Sequence, residues 1–132
     1  MPSGIIGFPD DKRYILLEHK KGSSFLWFQS VDNGSLAFVL IDPVLFKPDY
    51  EIQLNPDDIL GLGLENGSEG IEGVQPLAIV NILKTEPREI TANLLGPIVL
   101  NLRKKLARQV ILHHQRYSHR FPIPQVKEEK VP

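Results

Sequence analysis

The pattern of apolar and polar residues predicts a chain built mainly from short strands. A compact apolar run with charged ends covers residues 13–19, which is typical of a strand. An aromatic-rich run at 24–30 and an apolar run at 36–41 flank the pair Asn33-Gly34, which favours tight hairpin turns. We therefore expect the second and third runs to pair as a β-hairpin.

Trp27 lies at the centre of the aromatic run. Because side chains alternate along a strand, Phe25 and Trp27 share one face, and Leu26 and Phe28 share the other. We therefore expect at least one of these two pairs to be buried.

Three later segments also have strand character. Apolar and polar residues alternate at 50–54, and residues 76–83 are β-branched and apolar. The run at 90–101 is interrupted by Gly96-Pro97, a pair that predicts a bend, with a separate strand over 98–102.

One short helix is expected between the strands. Asn55 is a favoured cap, Pro56 suits the first helical position, and two acidic residues fill the first turn. Gly61 and Gly63 should end the helix after about one turn.

The segment after residue 102 supports two interpretations. Leu102, Leu106, Val110 and His114 would share one face of a helix, whereas the β-branched run at 110–112 suits a strand. The residues alone leave helix and hairpin open here.

Together these elements predict a mainly β fold: a single-domain, antiparallel, small β-barrel-like structure with one or two short helices. The domain is expected to cover residues 1–120. Residues 121–132 contain three prolines and a Lys-Glu-Glu-Lys cluster, which predicts a disordered C-terminal tail.

Composition limits the function classes. Among its 132 residues the chain has no cysteine, which excludes a disulfide framework and thiolate chemistry and fits a reducing compartment such as the cytoplasm. No signal peptide or membrane-length apolar run is visible in the sequence.

The net charge of −1 conceals an uneven distribution. Residues 42–72 contain eight acids and one base, whereas residues 103–120 contain six bases and no acid. The basic stretch, with Tyr117 and Phe121 for stacking, allows direct RNA binding as an alternative function. The sequence pI near 6.4 is low for a nucleic-acid-binding domain and makes this alternative weaker.

A search for catalytic chemistry finds no complete motif. The glycines at 61–67 lack the spacing of a dinucleotide loop, and His113, His114 and His119 lack the spacing and glutamate of a zinc enzyme. We therefore expect no enzyme activity, no metal and no cofactor. An uncharacterised small-molecule-binding β-barrel remains a further alternative.

Five segments together resemble the FliW family of flagellar assembly factors. They are Gly4-Ile-Ile-Gly-Phe8, Phe25-Leu-Trp-Phe-Gln-Ser30, Ala37-Phe-Val with Asp42-Pro43, Thr91-Ala-Asn-Leu-Leu-Gly-Pro-Ile-Val-Leu-Asn101, and Gln109-Val-Ile-Leu112 with Tyr117. The block that ends at Asn101, together with the following Gln-Val-Ile-Leu, is the most specific of them.

This resemblance implies a compact β-barrel-like domain in the cytoplasm that switches between two protein partners. Such proteins bind flagellin before export, and they also bind CsrA, an RNA-binding translational regulator, so that freed protein antagonises CsrA and derepresses flagellin translation. The resemblance implies no direct contact with nucleic acid or membrane, and we expect a monomer. It also favours a hairpin with strands at 98–102 and 108–113.

Two departures from the family pattern are visible. Family members carry another strand before the Gly4–Phe8 segment, and here Met1 lies almost on that segment, so we expect a truncated start or an open sheet edge. The turn at 103–107 also lacks a glycine, which predicts a longer or irregular hairpin.

The candidate site residues fall into two groups. The acidic residues are expected to face the basic RNA-binding regulator, because opposite potentials speed encounter. Asn93 is expected either to hold loop backbone in place beside Pro97 or to contact a partner, and Asn101 needs hydrogen-bond partners if it is buried. The acidic candidates are Asp57, Asp58, Glu65, Glu69 and Glu72.

Overall fold

The computed structural model describes residues 1, 4–19, 21–64, 73–83, 89–113 and 116–123. These residues form an antiparallel sheet, one α-helix and one 3-10 turn, which confirms the expected mainly β fold. The strands are β1 (Tyr14–Glu18), β2 (Phe25–Ser30), β3 (Ala37–Ile41), β4 (Gln75–Leu83), β5 (Glu89–Asn101), β6 (Leu106–Gln109) and β7 (Phe121–Pro122). The 3-10 turn is Pro43–Leu45 and the helix, α1, is Pro56–Gly61.

The strands pair in the order β1-β2-β3-β4-β5-β6, and β7 adds to β5. Among the described residues β1 and β6 are the two ends of this path and do not pair, so the barrel-like sheet is not closed by hydrogen bonds. The expected hairpin of β2 and β3 is present, with Trp27 opposite Val39.

Both faces of the sheet carry an apolar cluster. Phe25 and Leu94 belong to one cluster, and Phe28 and Ile98 belong to the other. The prediction that Phe25 and Trp27, or Leu26 and Phe28, would be buried as a pair is therefore wrong. Both faces of β2 are covered at Phe25 and at Phe28, so one member of each pair is buried while Leu26 and Trp27 stay half-buried.

The segment at 50–54 is not a strand, contrary to its alternating pattern. Tyr50 and Ile52 are buried, so the alternation reflects burial against the sheet. Its backbone does not pair with a neighbouring strand: the amide of Glu51 donates to the hydroxyl of Tyr117 at 2.8 Å, and the amide of Tyr50 donates to the carbonyl of Lys47 at 2.9 Å.

The helix α1 begins and ends as its sequence predicts. The Asn55 side chain accepts from the Asp58 amide at 2.8 Å, and the Asp58 carboxylate accepts from the Asn55 amide at 3.1 Å. This reciprocal capping satisfies two donors that the first turn would otherwise leave open. Gly63, at φ +69°, follows the end of the helix.

The two alternatives for the segment after residue 102 are resolved as a hairpin. β5 and β6 pair antiparallel, with Asn101 opposite Leu106, so the second strand begins earlier than the expected 108–113. Lys105 adopts φ 56° in the turn that lacks glycine, a left-handed conformation that is uncommon for this residue type.

Strand β5 is continuous from Glu89 to Asn101, so the predicted interruption at Gly96-Pro97 is a local irregularity and not a break. At the C-terminal end, Phe121 and Pro122 pair with β5, so the sheet includes the first residues of the expected tail. Residues 124–132 lie outside the described part of the chain.

Candidate protein-binding surface

A bend in β5 creates the irregular part of the sheet. In the pairing of β5 with β4, Asn93 lies opposite Ile79 and Ile98 lies opposite Leu77. Ala78 is therefore the single β4 residue opposite residues 94–97. The backbone in the bend pairs elsewhere, as in the 2.9 Å bond from the amide of Val110 to the carbonyl of Pro97. Both Gly96 and Pro97 are buried in this bend.

The side chain of Asn93 hydrogen-bonds to the backbone of the bend. Its Oδ1 accepts from the backbone amides of Leu95 at 2.9 Å and Gly96 at 3.1 Å. The side chain is half-buried, so Asn93 combines a backbone-holding role with partial exposure.

Gln109 joins the bend to the N-terminal segment. Its Nε2 donates to the carbonyl of Gly96 at 3.0 Å, and its Oε1 accepts from the amide of Ile6 at 2.9 Å. A Cβ atom at Gly96 would lie 3.0 Å from Gln109 Nε2 and 3.2 Å from Asn93 Nδ2, so a larger residue would displace both amides.

Asn93, Gly96 and Gln109 line an open groove of about 750 Å³. Its apolar lining includes Ile6, which is 70% exposed, and Ile111, which is 45% exposed. Phe38 also lines the groove. The ring of Phe8 packs edge-to-face on the ring of Phe38, with ring centroids 5.6 Å apart. An exposed apolar groove with a few convergent polar groups is typical of a binding site. We call it the bend groove.

The polar groups of the bend groove are Asn93, Gln109, His113 and His119. A second cavity of about 270 Å³ lies on the other side of residues 111–113, between them and the segment that leads into α1. Within the described ranges, no group of three or more His, Cys, Asp or Glu residues could hold a metal ion.

The acidic candidates are not equivalent. Asp57 is exposed in the first turn of α1, whereas Asp58 is only 4% exposed. Besides capping the helix, Asp58 accepts a 2.8 Å hydrogen bond from Nε of Arg108, so its carboxylate is removed from any contact surface. Glu65, Glu69 and Glu72 lie outside the described residues.

Some bases of the 103–120 stretch are hydrogen-bonded within the fold, and others are exposed. Arg108 is bound to Asp58, and Nζ of Lys104 donates to the carbonyl of Gly63, while Arg103 is exposed on the turn. A phosphate-binding strip that used all six bases would have to break the Asp58–Arg108 pair. This arrangement argues against the RNA-binding alternative.

The remaining residues predicted from the sequence to be structural make hydrogen bonds within the fold. The Asn101 side chain is buried, donates to the carbonyl of Leu62 at 2.7 Å and accepts from the amide of Lys104 at 3.3 Å. The indole N–H of Trp27 donates to Nδ1 of His19 at 3.2 Å.

Sequence reasoning missed the groove residues Ile6, Gln109 and Ile111. The two segments that hold them were quoted for the family resemblance, but no pattern along the chain shows that they meet across 103 residues of separation.

Within the described ranges, no helix is long and apolar enough to span a membrane.

Comparison with known proteins decides the family. The family model described as FliW protein matches residues 1–123. The chain belongs to the FliW family. Among its FliW relatives, the flagellar assembly factor of Syntrophus aciditrophicus is 43% identical over 128 residues, covering 97% of this chain and 78% of the relative.

Two further comparisons agree. The flagellar assembly factor FliW of Natranaerobius thermophilus is 35% identical and covers 92% of this chain and 78% of its own length. A crystal structure of the flagellar assembly factor FliW superposes with a TM-score of 0.81 at 33% identity, covering 96% of this chain and 85% of that one. The sheet described above is therefore a FliW fold.

Proposed function

We propose that this chain is a non-enzymatic cytoplasmic partner switch in flagellar assembly. It binds flagellin before export and, once flagellin has left, binds and antagonises the translational regulator CsrA, so that flagellin translation is derepressed. Membership of a family of flagellar assembly factors supports the flagellar role.

The main support for a flagellin contact is the exposed apolar surface of the bend groove. Ile6 and Ile111 expose apolar surface beside the fixed amides of Asn93 and Gln109. Such a surface suits an apolar segment of a partner, because burying the exposed side chains favours association and the amides supply orientation.

The acidic residues are the candidate CsrA contact. Of the five candidates, Asp57 remains as an exposed carboxylate within the described residues, and Glu65, Glu69 and Glu72 are retained from the sequence. Two separate surfaces would allow variants to lose one partner and keep the other.

Calorimetric titration of the purified chain with flagellin and with CsrA tests this proposal. Ile6→Asp should weaken flagellin binding at least about tenfold, because it places a charge in the apolar contact. Leu60→Asp is the matched control: Leu60 is 79% exposed on α1, does not line the bend groove, and its substitution should leave flagellin binding unchanged.

If the parent chain bound neither flagellin nor CsrA, the proposal would be overturned. If Ile6→Asp bound flagellin like the parent, the partner switch would stand and the bend groove would be excluded as its flagellin site. Binding of RNA by the isolated chain would favour the direct RNA-binding alternative.

A further inference from the structure

The turn between β2 and β3 contains an Asn-Gly pair in an exposed position. Asn33, Gly34 and Ser35 are exposed, and the amide of Leu36 closes the turn by donating to the carbonyl of Asn33 at 3.1 Å. An asparagine followed by glycine is prone to spontaneous deamidation, because glycine has no side chain to obstruct attack on the asparagine amide. The turn therefore combines a structural role with a chemical reactivity.

The side chain of Asn33 is folded over the backbone that would attack it. Its Oδ1 accepts from the amide of Ser35 at 3.1 Å, which is the hydrogen bond of an Asx turn. The side chain reaches Ser35 only by folding forward across the Gly34 peptide, so this bond holds Cγ of Asn33 close to the Gly34 nitrogen. Nδ2, the nitrogen that would leave, is the end of the amide that this bond does not hold.

The Gly34 nitrogen is available as the nucleophile. Within the described residues no hydrogen bond engages its N–H, whereas the amides of Asn33, Ser35 and Leu36 all donate within the hairpin. A Cβ atom built at Gly34 would meet no other atom within 4 Å. Solvent and base therefore reach this nitrogen without obstruction.

We propose that Asn33 is a self-modification site that deamidates in the folded protein. The Gly34 nitrogen loses its proton to hydroxide and attacks Cγ of Asn33, so that a C–N bond forms, and Nδ2 takes a proton from water and leaves as ammonia. Water then opens the resulting cyclic succinimide at either carbonyl, which gives aspartate or isoaspartate at this position. In sum, water is consumed and ammonia is released, with no oxidant or reductant.

The Ser35 amide favours this reaction at the atom where charge develops. Attack on Cγ moves negative charge onto Oδ1 of Asn33, which already accepts the Ser35 hydrogen bond. A backbone N–H that is held in place at a developing oxyanion stabilises the transition state, because the donor does not have to reorganise. The hydrogen bond that shapes the turn therefore also assists the chemistry.

Isoaspartate would alter the hairpin, because it routes the backbone through the side-chain carbon and lengthens the turn. Nε2 of Gln29 donates to the carbonyl of Gly34 at 3.3 Å and to the carbonyl of Leu36 at 3.0 Å, and these contacts fit the present turn length. The isoaspartyl form should therefore melt at a lower temperature than the parent. Both products also add a negative charge, which separates them from the parent by ion exchange.

Incubation of the purified folded chain in water labelled with heavy oxygen, at mildly alkaline pH, tests the proposal. Peptide mapping by mass spectrometry should show label at position 33, and enzymatic methylation should detect isoaspartate there. The rate should rise with hydroxide concentration and should match or exceed the rate at Asn33 in the chain unfolded by urea. A folded rate at least about tenfold below the unfolded rate would overturn the proposal, because the turn would then protect the amide.

Gly34→Ala separates the reaction from the fold. A methyl group at Gly34 meets open space, and the residue lies outside the left-handed region, so the hairpin and the circular dichroism spectrum should be kept. The methyl group obstructs the attacking nitrogen, so deamidation at Asn33 should slow at least about tenfold. Ser35→Ala keeps the backbone N–H and is the matched control, which should deamidate like the parent. A parental rate in folded Gly34→Ala would refute attack by the Gly34 nitrogen.

A second Asn-Gly-Ser tripeptide gives an internal reference. Residues 66–68 repeat the sequence of residues 33–35, and each tripeptide follows an acidic residue. In urea the two asparagines should react at similar rates, which calibrates the unfolded reference within the same molecule. Gly34→Ala should slow the reaction at Asn33 and leave that at Asn66 at the parental rate. Equal slowing at both positions would contradict a reaction confined to the turn.

Discussion

Nε of Arg108 donates to Oδ1 of Asp58 across 2.8 Å and ties β6 to the first turn of α1. The carboxylate is almost fully buried, and the arginine side chain is about one quarter exposed. Because Asp58 also caps the helix, this pair fixes α1 against the sheet.

The first prediction follows from this pair. Arg108→Met should lower the free energy of unfolding by about 2–4 kcal/mol, because it leaves a buried carboxylate without its cation. Urea unfolding at pH 7 measures the change. Arg103→Met, on the exposed turn, is the control and should stay within about 0.5 kcal/mol of the parent. An equally small effect of Arg108→Met would show that the ion pair does not stabilise the fold.

The second prediction concerns Asn93. Asn93→Ala should cost about 1–3 kcal/mol, because the amides of Leu95 and Gly96 lose their acceptor in a half-buried bend. Asn93→Asp keeps an acceptor oxygen and should recover most of the loss, and Asn81→Ala on an exposed position of β4 is the control. Thermal and urea unfolding measure both effects. Unchanged unfolding with lost flagellin binding would assign Asn93 to partner contact instead.

Local patterns predicted the elements whose signals are local. The hairpin of β2 and β3 and the helix at Asn55 depend on turn and cap residues within a few positions, and both are present. The alternating segment at 50–54 failed because alternation reports one-sided burial, which an extended segment shares with a strand. Its partner Tyr117 lies 66 residues away.

The candidate site was harder to predict because its residues meet only through the fold. The bend groove joins Ile6 to Gln109, which no spacing along the chain indicates. Charge counting makes Asp58 a candidate contact residue, but charge counting carries no information on burial, and Asp58 is buried. The helix pattern places the same residue in the first turn of α1, and the structure shows that its side chain completes the capping of that turn.

The third prediction concerns alkaline pH. The Tyr50 hydroxyl donates to the carbonyl of Leu94 at 2.8 Å, and burial, with a smaller contribution from Tyr117, raises the pKa of Tyr50 above its usual value. An unfolded tyrosine titrates near 10, so the stabilisation from the neutral phenol is complete below about pH 10. It is lost as the pH rises above that value, because the unfolded chain ionises first.

Tyr50→Phe should therefore cost about 1 kcal/mol at pH 7 through the lost hydrogen bond. The variant should also lose less stability than the parent between pH 8 and about pH 10.5, because it has no phenol at this position to ionise. Urea midpoints of both proteins across this range make the comparison. Parallel curves would show that Tyr50 does not contribute to the alkaline loss.

The fourth prediction concerns the acidic stretch and CsrA. Replacing Glu65, Glu69 and Glu72 by Gln removes three charges with little change in side-chain shape. If this stretch meets the basic regulator, the variant should bind CsrA more weakly at low salt, mainly through slower association. Flagellin binding should be largely kept, and melting should stay near that of the parent, because surface substitutions of this kind change stability little.

Salt distinguishes this electrostatic contact from a solvated stretch that meets no partner. Screening acts beyond about 8 Å at physiological ionic strength, so parental CsrA association should slow with added salt, while the apolar flagellin contact proposed at the bend groove should change less. A matched variant with Asp10→Asn, Glu51→Gln and Glu89→Gln removes the same charge from exposed positions elsewhere and should bind CsrA like the parent. Surface plasmon resonance at about 50 mM and 300 mM salt gives both rate constants for each protein. Equal CsrA affinity of the Glu65, Glu69 and Glu72 variant and the parent at low salt would remove the acidic stretch from the CsrA contact.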